Sequence, residues 1–452
     1  MLFERPRSGE RAVLVHIDFP GTDAAEDLAE LRELAASAGA DSVEALTTRR
    51  RAPDARYFLG TGKARELCEC VERTDAEVVI FNHPLTPGQE RNLERLTGRR
   101  VLDRIALILD IFAQRARTFE GKLQVELAQL RHLSTRLIRG WSHLERQKGG
   151  IGLRGPGEKQ LETDRRLINE RIRQIERRLE KVLSRRELSR RARKRAGAPV
   201  VSLVGYTNAG KSTLFNALTG ARVQARSRLF ETLDPTLRRL QIAGAGELIL
   251  ADTVGFIRHL PHDLVAAFRA TLEETRNAEL LLHVIDASAA DGFSKRDQVN
   301  QVLSEIGAED VPQIEVLNKI DLLDHDVEGT RSGNGHQNPV SPARIRVSAR
   351  AGTGLENLCR AIEGHFAAQL VRRRVRVPAS APRLRARLFE VGTVLEEKIG
   401  DNGDALMDIV LQPASFSRLC RSDGLDGLVV GEGPPAGPPA SGARVAVQIR
   451  HT

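Results

Sequence analysis

Val200-Val201-Ser202-Leu203-Val204 is an apolar run that passes without a break into Gly205-Tyr206-Thr207-Asn208-Ala209-Gly210-Lys211-Ser212. Helical residues, Thr213–Leu218, follow at once. Strand, Gly-x4-Gly-Lys-Ser loop and helix in that order form a phosphate-binding loop in its required setting. The glycines let backbone N–H groups curl around phosphate oxygens, and the helix N-terminus adds its positive dipole end. In that reading Lys211 reaches the β and γ phosphates, and the Ser212 hydroxyl binds Mg²⁺.

Three further elements follow in the order a guanine-nucleotide site needs. Leu248-Ile249-Leu250-Ala251 reads as a strand ending in Asp252-Thr253-Val254-Gly255. Asp252 is expected to hold Mg²⁺ through water, and the Gly255 N–H to touch the γ-phosphate. Ile314–Leu317 reads as a strand ending in Asn318-Lys319-Ile320-Asp321. A carboxylate at Asp321 can accept both N1–H and N2–H₂ of guanine, a donor pair that adenine lacks. Polar selection of this kind discriminates far better than an apolar pocket. Ile345-Arg346-Val347 leads to Ser348-Ala349-Arg350, where the Ala349 N–H is expected to meet guanine O6.

Between the first and second elements lies Phe230-Glu231-Thr232-Leu233-Asp234-Pro235-Thr236. A threonine here completes the Mg²⁺ shell and clasps the γ-phosphate. Thr232 is the choice and Thr236 the alternative, in a segment that orders with GTP and loosens after hydrolysis. The expected catalytic set is Lys211, Thr232 and Gly255, with Ser212, Thr232 and Asp252 on the metal. Many GTPases place Gln directly after Asp-x-x-Gly to orient the attacking water. Phe256 stands there and cannot hydrogen-bond water, so intrinsic hydrolysis should be slow and a large partner is the natural supplier of the missing group. Asn208, inside the loop, offers a second route, because GTPases with Asn there can bind K⁺ beside the phosphates. The plainer reading is that Asn208 braces the loop.

Outward from the site, 452 residues suggest two to four domains. Hydrophobic content of 41% and charged content of 29% fit a globular protein with real cores. No apolar run of membrane-spanning length and no secretory leader pattern is present, and four scattered cysteines read as reduced thiols. These features suggest a cytoplasmic protein. Residues 121–196 hold 22 Lys+Arg against 9 Asp+Glu, so this segment carries more positive charge than the whole chain's net +9. That is an electrostatic footprint for nucleic acid. A solvated charged helix is the plainer alternative.

Four parts are expected: an N-terminal α/β domain over 1–115, a basic antiparallel helical hairpin over 116–196, a nucleotide-binding domain over 197–370 with a mostly parallel sheet, and a small α/β C-terminal domain over 379–452. In the first part, Ala12–Ile17 and Glu77–Asn82 read as strands and Leu28–Ala38 as helix. Arg104–Phe112 is apolar enough to be either. Leu123, Leu127, Leu130 and Leu137 make one helical stripe. Leu161, Ile168, Ile175 and Val182 make a heptad seam, with Ile172 and Leu179 between them. Gly149–Gly157 is the glycine-rich tip joining the two helices. Asp324–Ala343 reads as a disordered loop and Val371–Pro378 as a basic linker. Arg385–Val391, Ala405–Leu411 and Arg444–Ile449 read as strands, with a Gly/Pro loop over Gly431–Gly442. Gly60-Thr61-Gly62-Lys63 looks like a second phosphate loop, but Ala55 and Ala64 replace the Gly and Ser/Thr that it needs. It reads as a turn before a helix over Ala64–Glu72, with ATP use as the other reading. His132 and His143 read as surface residues.

Gly149-Gly150-Ile151-Gly152-Leu153-Arg154-Gly155-Pro156-Gly157-Glu158-Lys159-Gln160-Leu161-Glu162-Thr163-Asp164-Arg165-Arg166 resembles the signature of the HflX family of ribosome-associated GTPases. Leu102-Asp103-Arg104 to Arg117, Glu120–Leu127, Phe230–Thr236 and Asp252–Ile257 resemble the same family. The likeness spans about Tyr57 to Ser348, and the last 80 or so residues match no motif. The resemblance implies a GTPase that binds the large ribosomal subunit and ribosomal RNA. It implies a helical extension toward the peptidyl-transferase region, GTP hydrolysis stimulated by ribosomes, and splitting or rescue of stalled ribosomes under stress. A basic hairpin suits dense RNA phosphate charge. Aromatic content of 4% with one tryptophan, Trp141, does not suit base stacking. A monomer off the ribosome is expected. Two other classes stay open: a GTPase acting on other structured RNA, and a GTP-gated RNA-binding adaptor without appreciable hydrolysis.

Overall fold

The computed structural model describes residues 9–20, 24–140, 156–196, 198–220, 229–230, 235–242, 246–258, 269–289, 291–323, 343–367, 371–400, 402–411 and 413–432. Trp141, His143, the glycine-rich tip before Pro156, Glu231–Asp234, most of the Asp324–Ala343 loop and Arg444–Ile449 lie outside them. The chain forms two compact units. One comprises Met1–Leu183 with Arg226–Asp234 and Ile257–Thr271; the other comprises Ser184–Ala225, Pro235–Phe256 and Leu272–Thr452.

The first unit is built on β1 (Arg11–Asp18), α1 (Ala24–Ala38), β2 (Asp41–Arg49), α2 (Thr61–Thr74), β3 (Val78–Phe81), α3 (Pro87–Thr97), β4 (Arg100–Leu102) and α4 (Arg104–Arg115). The four strands run parallel in the order β2-β1-β3-β4. Six consecutive residues of β1 are buried, as a strand covered on both faces requires. Val13, Val15 and Ile17 share a core with Leu67 and Val71 of α2 and Leu93 of α3. The ambiguous stretch 104–112 is helix: Leu107, Ile108, Ile111 and Phe112 are buried at helical spacing. Its N-cap is Asp103, whose Oδ1 accepts from the Ala106 N–H at 2.8 Å.

The Gly60-Thr61-Gly62-Lys63 turn opens α2. Gly60 has φ 87°, and Arg50, which donates to the Leu59 carbonyl at 2.5 Å, fills the space above it.

Helices α5 (Phe119–Gly140) and α6 (Pro156–Ala196) follow. Leu123, Leu127 and Leu130 of α5 pack with Ile175 and Leu179 of α6, and Ile168 and Ile172 flank them. Arg165, Arg166, Arg173, Arg177, Arg178 and Lys181 are exposed on α6. Arg136 of α5 donates to the buried Asp103 carboxylate at 2.8 Å and pairs with Glu90, which ties the helix to the N-terminal sheet layer. His132, read from sequence as a surface residue, is half-buried and electrostatically coupled to Asp103.

The same unit takes in two short pieces from later in the chain. The Phe230 ring is buried edge-on against Phe112, with centroids 4.6 Å apart, and the Leu229 N–H donates to Ser37 Oγ at 3.1 Å. Arg258 pairs with Glu26 at 2.7 Å and Asp27 at 3.2 Å, and its carbonyl accepts from Arg104 at 3.0 Å.

The second unit contains β5 (Val200–Gly205), α7 (Lys211–Thr219), β6 (Thr236–Ile242), β7 (Gly246–Asp252), α8 (Arg269–Arg276, all but its first three residues), β8 (Leu280–Asp286), α9 (Gly292–Glu305), β9 (Gln313–Asn318), β10 (Ala343–Arg346) and α10 (Leu355–Ala367). Its six-stranded sheet has the order β10-β9-β8-β5-β7-β6, parallel except for β6 against β7. The order reverses about β5, so the carboxyl end of that strand opens into the crevice where open α/β sheets take ligands.

A second sheet in this unit comes from β11 (Val371–Val377), α11 (Pro382–Val391), β12 (Thr393–Ile399), β13 (Ala405–Leu411), α12 (Pro413–Asp423) and β14 (Val429–Glu432). Two sequence expectations fail here. Val371–Pro378 is not a linker, because β11 is a central strand between β13 and β14. Arg385–Val391 is helix, because Leu384 and Leu388 stand one turn apart and face the core. The βαββαβ order and the antiparallel β12-β13-β11-β14 sheet define a ferredoxin-like module.

A half-buried histidine, His83, and a buried one, His283, predict acid sensitivity. Burial, and then the neighbouring His16, push His83 down to about 4; burial, and then Arg296, push His283 down to about 4. Both are neutral in the folded protein and would bind protons in the unfolded chain below about pH 6.5. Stability is therefore full above pH 6.5 and falls as the pH drops toward 4. Melting temperatures recorded from pH 7 to 4 should decline, and His283→Gln should flatten part of that decline.

Candidate functional site

Strand β5 delivers the chain to a loop whose backbone needs glycine at both ends. Gly205 has φ 146°, and a Cβ there would come within 2.3 Å of the Val284 carbonyl oxygen. Gly210 has φ 92°, and a Cβ there would meet Asn318 Nδ2 at 2.2 Å. Asn208, at φ 62°, is exposed at the tip of the loop. Tyr206, Thr207 and Ala209 are buried beneath it. Lys211 opens α7 and is buried, with Nζ donating to the Gly205 and Tyr206 carbonyls at 3.0 and 2.7 Å. Burial pulls its pKa down to about 8 against the opposing pull of Asp252.

Three loops converge on this one. Ser212 Oγ donates to Asp252 Oδ2 at 2.8 Å, which puts two hard oxygen donors side by side. Thr253 Oγ1 is tied to the Leu203 carbonyl. Gly255 lies so close to the phosphate loop that a Cβ would come within 2.7 Å of Thr207 Cγ2 and 3.1 Å of Lys211 Nζ. The Phe256 backbone clamps the loop from the other side: its N–H donates to the Gly205 carbonyl and its carbonyl accepts from the Thr207 N–H. Val254 and Phe256 are buried.

Asn318 joins the phosphate loop to the Ser348 loop. Its Nδ2 donates to the Ala209 carbonyl at 2.9 Å and its Oδ1 accepts from the Ala349 N–H at 3.0 Å. Asp321 Oδ1 accepts from Ser348 Oγ at 2.6 Å, and that bond holds its carboxyl below the usual range. The carboxylate is thus charged and oriented at the pocket rim. Lys319, at φ 65°, pairs with Asp286 at 2.6 Å, and Ile320 follows in a single 3-10 turn. Arg350 is exposed in the Ser348 loop. Asn318→Ala would leave two buried backbone groups unpaired at about 1–3 kcal/mol each, a loss of roughly 2–6 kcal/mol. The urea midpoint of the purified protein should fall accordingly, and Asn318→Asp should recover only part.

The structure brings together Gly205 to Ser212, Asp252 to Gly255, Asn318 to Asp321 and Ser348 to Arg350. The Phe230 ring is buried against Phe112. Glu231, Thr232, Leu233 and Asp234 lie outside the described residues. Thr236, the alternative to Thr232, pairs with Asp252 across β6 and β7. The Ala349 N–H, expected on guanine O6, is engaged with Asn318. The ion pairs of Arg258 with Glu26 and Asp27 carry no signal in the sequence. The ion pairs join residues more than 200 positions apart, so no local pattern announces them.

A phosphate loop at the switch point of a parallel sheet, an Asp-x-x-Gly strand end beside it and an Asn-Lys-x-Asp strand end beyond define a P-loop GTPase. The chain matches three family models: "GTP-binding GTPase N-terminal" over 25–113, "GTP-binding GTPase Middle Region" over 115–193 and "50S ribosome-binding GTPase" over 200–319. It is 54% identical to GTPase HflX of Escherichia coli over 93% of this chain and 98% of that one. It is 47% identical to GTPase HflX of Caldanaerobacter subterraneus over 88% and 91%. The chain belongs to the HflX family of GTPases. Among solved structures, a complex of SsGBP with GDP is 27% identical over 80% of this chain and 99% of that one, with a TM-score of 0.46. Among the described residues, no helix is long and apolar enough to cross a membrane.

Proposed function

We propose that this GTPase binds the large ribosomal subunit in its GTP form, hydrolyses GTP at a rate set by the ribosome, and serves to split or rescue stalled ribosomes in the cytoplasm. The observation that carries this reading is the pairing of a complete phosphate loop with Phe256 where a water-orienting glutamine would stand. Burial of Phe256, with its backbone spent on Gly205 and Thr207, supports a site that needs a partner's group. The exposed arginines of α6, a helix packed on the α5 that Arg136 anchors, support ribosomal RNA as that partner.

Within the site, Lys211 binds the β and γ phosphates, the Gly255 N–H contacts the γ-phosphate, and Thr232 closes over it. Asp321 selects guanine through N1–H and N2–H₂. Ser212, Asp252 and Thr232 are the oxygen donors that fit Mg²⁺, and the adjacency of the first two supports that set. Bound there, the ion neutralises charge on the β and γ phosphates. The side chains orient the chain of phosphates for in-line attack by water and stabilise the charge that develops; none of them is placed as a general base. Asn208, exposed at the loop tip, fits K⁺ beside the phosphates. Equal turnover in Na⁺ and K⁺ would remove that ion from the account.

Sedimentation with purified large subunits in GTP, GDP and no nucleotide tests the reading. Co-sedimentation favoured by GTP is expected. Equal pelleting in all three states, or none in any, would refute it.

A further inference from the structure

The face of the C-terminal sheet that the two helices leave bare carries an uneven distribution of charge. Val375 and Val377 of β11 and Ala405, Met407, Ile409 and Leu411 of β13 point into the core, where Leu384, Leu388 and Leu419 of the two helices meet them. Register puts Arg372, Arg374 and Arg376 on the opposite face, directly across from Val410, Asp408 and Leu406. On the far side of β13, Glu396 pairs with Asp408 and Lys398 with Leu406, so both share that face.

Most of these charges cancel locally. Arg374 lies on Asp408 through two hydrogen bonds of 2.6 and 2.7 Å, and Asp408 is buried beneath it. Lys398 and Glu396 pair at 2.7 Å. Arg373 points to the helix side, 5.9 Å from the Phe416 ring. Arg372 and Arg376 remain, and among the described residues neither has an acidic partner. They stand four positions apart on one strand, about 13 Å, with the half-buried Val410 and Leu406 beside them and the Arg374–Asp408 pair between. The planar fork of donors on an arginine matches a phosphate or carboxylate, so each of the two is a ready contact for an anion.

We infer that this open sheet face is a second RNA-contacting surface, on which Arg372 and Arg376 each engage a phosphate of one RNA backbone. The inference rests on the ribosomal reading above and extends it to the C-terminal module. None of the residues named on this face is aromatic, so bases are not stacked there and recognition is of the sugar-phosphate chain. A fixed pair of cations on a rigid strand suits a backbone whose charges recur at regular intervals. The same face offers an acidic protein partner only two unmatched charges over a small apolar strip.

The test uses the full-length protein and two probes, purified large subunits and a 30-nucleotide polyuridine. Affinity is measured across salt for the parent, R372Q/R376Q and R372K/R376K. Each lost phosphate contact lowers the slope of log affinity against log salt by about 1, so the glutamine pair should lower it by about 2 and the lysine pair should restore it. GTP turnover without subunits and the melting temperature should not change. An unchanged slope on both probes overturns the inference. So does weaker subunit binding at unchanged slope, which would mark a protein contact. A parent that binds polyuridine but not subunits would refute the ribosomal reading alone, and polyuridine slopes would then decide this one.

Discussion

Asp321→Asn should weaken GTP binding by roughly 10²- to 10³-fold while leaving the fold intact. The carboxylate sits at the rim of the base pocket, oriented by Ser348 and held ionised by that bond. As a carboxylate it can accept from both guanine donors at once. An amide keeps one acceptor oxygen but turns a donor toward a donor, so one hydrogen bond is lost and one contact becomes repulsive. The same change creates a match for a base bearing oxygen in place of the exocyclic amine. Xanthosine triphosphate should therefore bind the variant better than GTP does. The side chain is exposed, so melting should barely move. Nucleotide titration of parent and variant with both triphosphates checks the pair of outcomes, and undiminished GTP binding would remove Asp321 from the base site.

Lys211→Met should separate activity from stability in the opposite sense. Removing a preorganised cation from a developing phosphate charge costs about 10²- to 10³-fold in turnover. The nucleotide-free protein, in contrast, bears a cost for that cation. Lys211 is buried and its pKa is drawn down to about 8, well below that of an exposed lysine. A depressed lysine pKa means that the unfolded chain binds the proton more tightly. The cost is therefore full below pH 8 and disappears as the pH rises through 10.5, and at neutral pH it amounts to about 3 kcal/mol. Methionine fills the same channel without charge. Turnover should collapse while the melting temperature of the nucleotide-free protein holds or rises. A variant that loses both would show that Lys211 is structural.

The nucleotide site was legible because its chemistry constrains the backbone. Gly205 and Gly210 stand where any Cβ would strike Val284 or Asn318, so the motif and the fold are one requirement. Asn318 was legible as part of its motif, but its bridge between Ala209 and Ala349 was not, since nothing local couples residues 109 apart. Strand β11 escaped because four arginines in seven residues mask the alternation that Val375 and Val377 retain. Helix α11 was read as a strand because its arginines alternate with apolar residues over Arg383–Arg387, although Leu384 and Leu388 carry the helical spacing. The burial of the Phe230 ring against Phe112 joins residues 118 positions apart, which no local pattern announces.

The account stands or falls on whether the ribosome supplies what Phe256 cannot. Steady-state GTP turnover at saturating GTP, measured as purified large subunits are added, addresses this directly. The account predicts a slow basal rate that rises saturably by about 10³-fold or more, the scale of supplied catalytic groups in related enzymes. A rate that stays flat across the titration, or a basal rate already at the stimulated level, would contradict it.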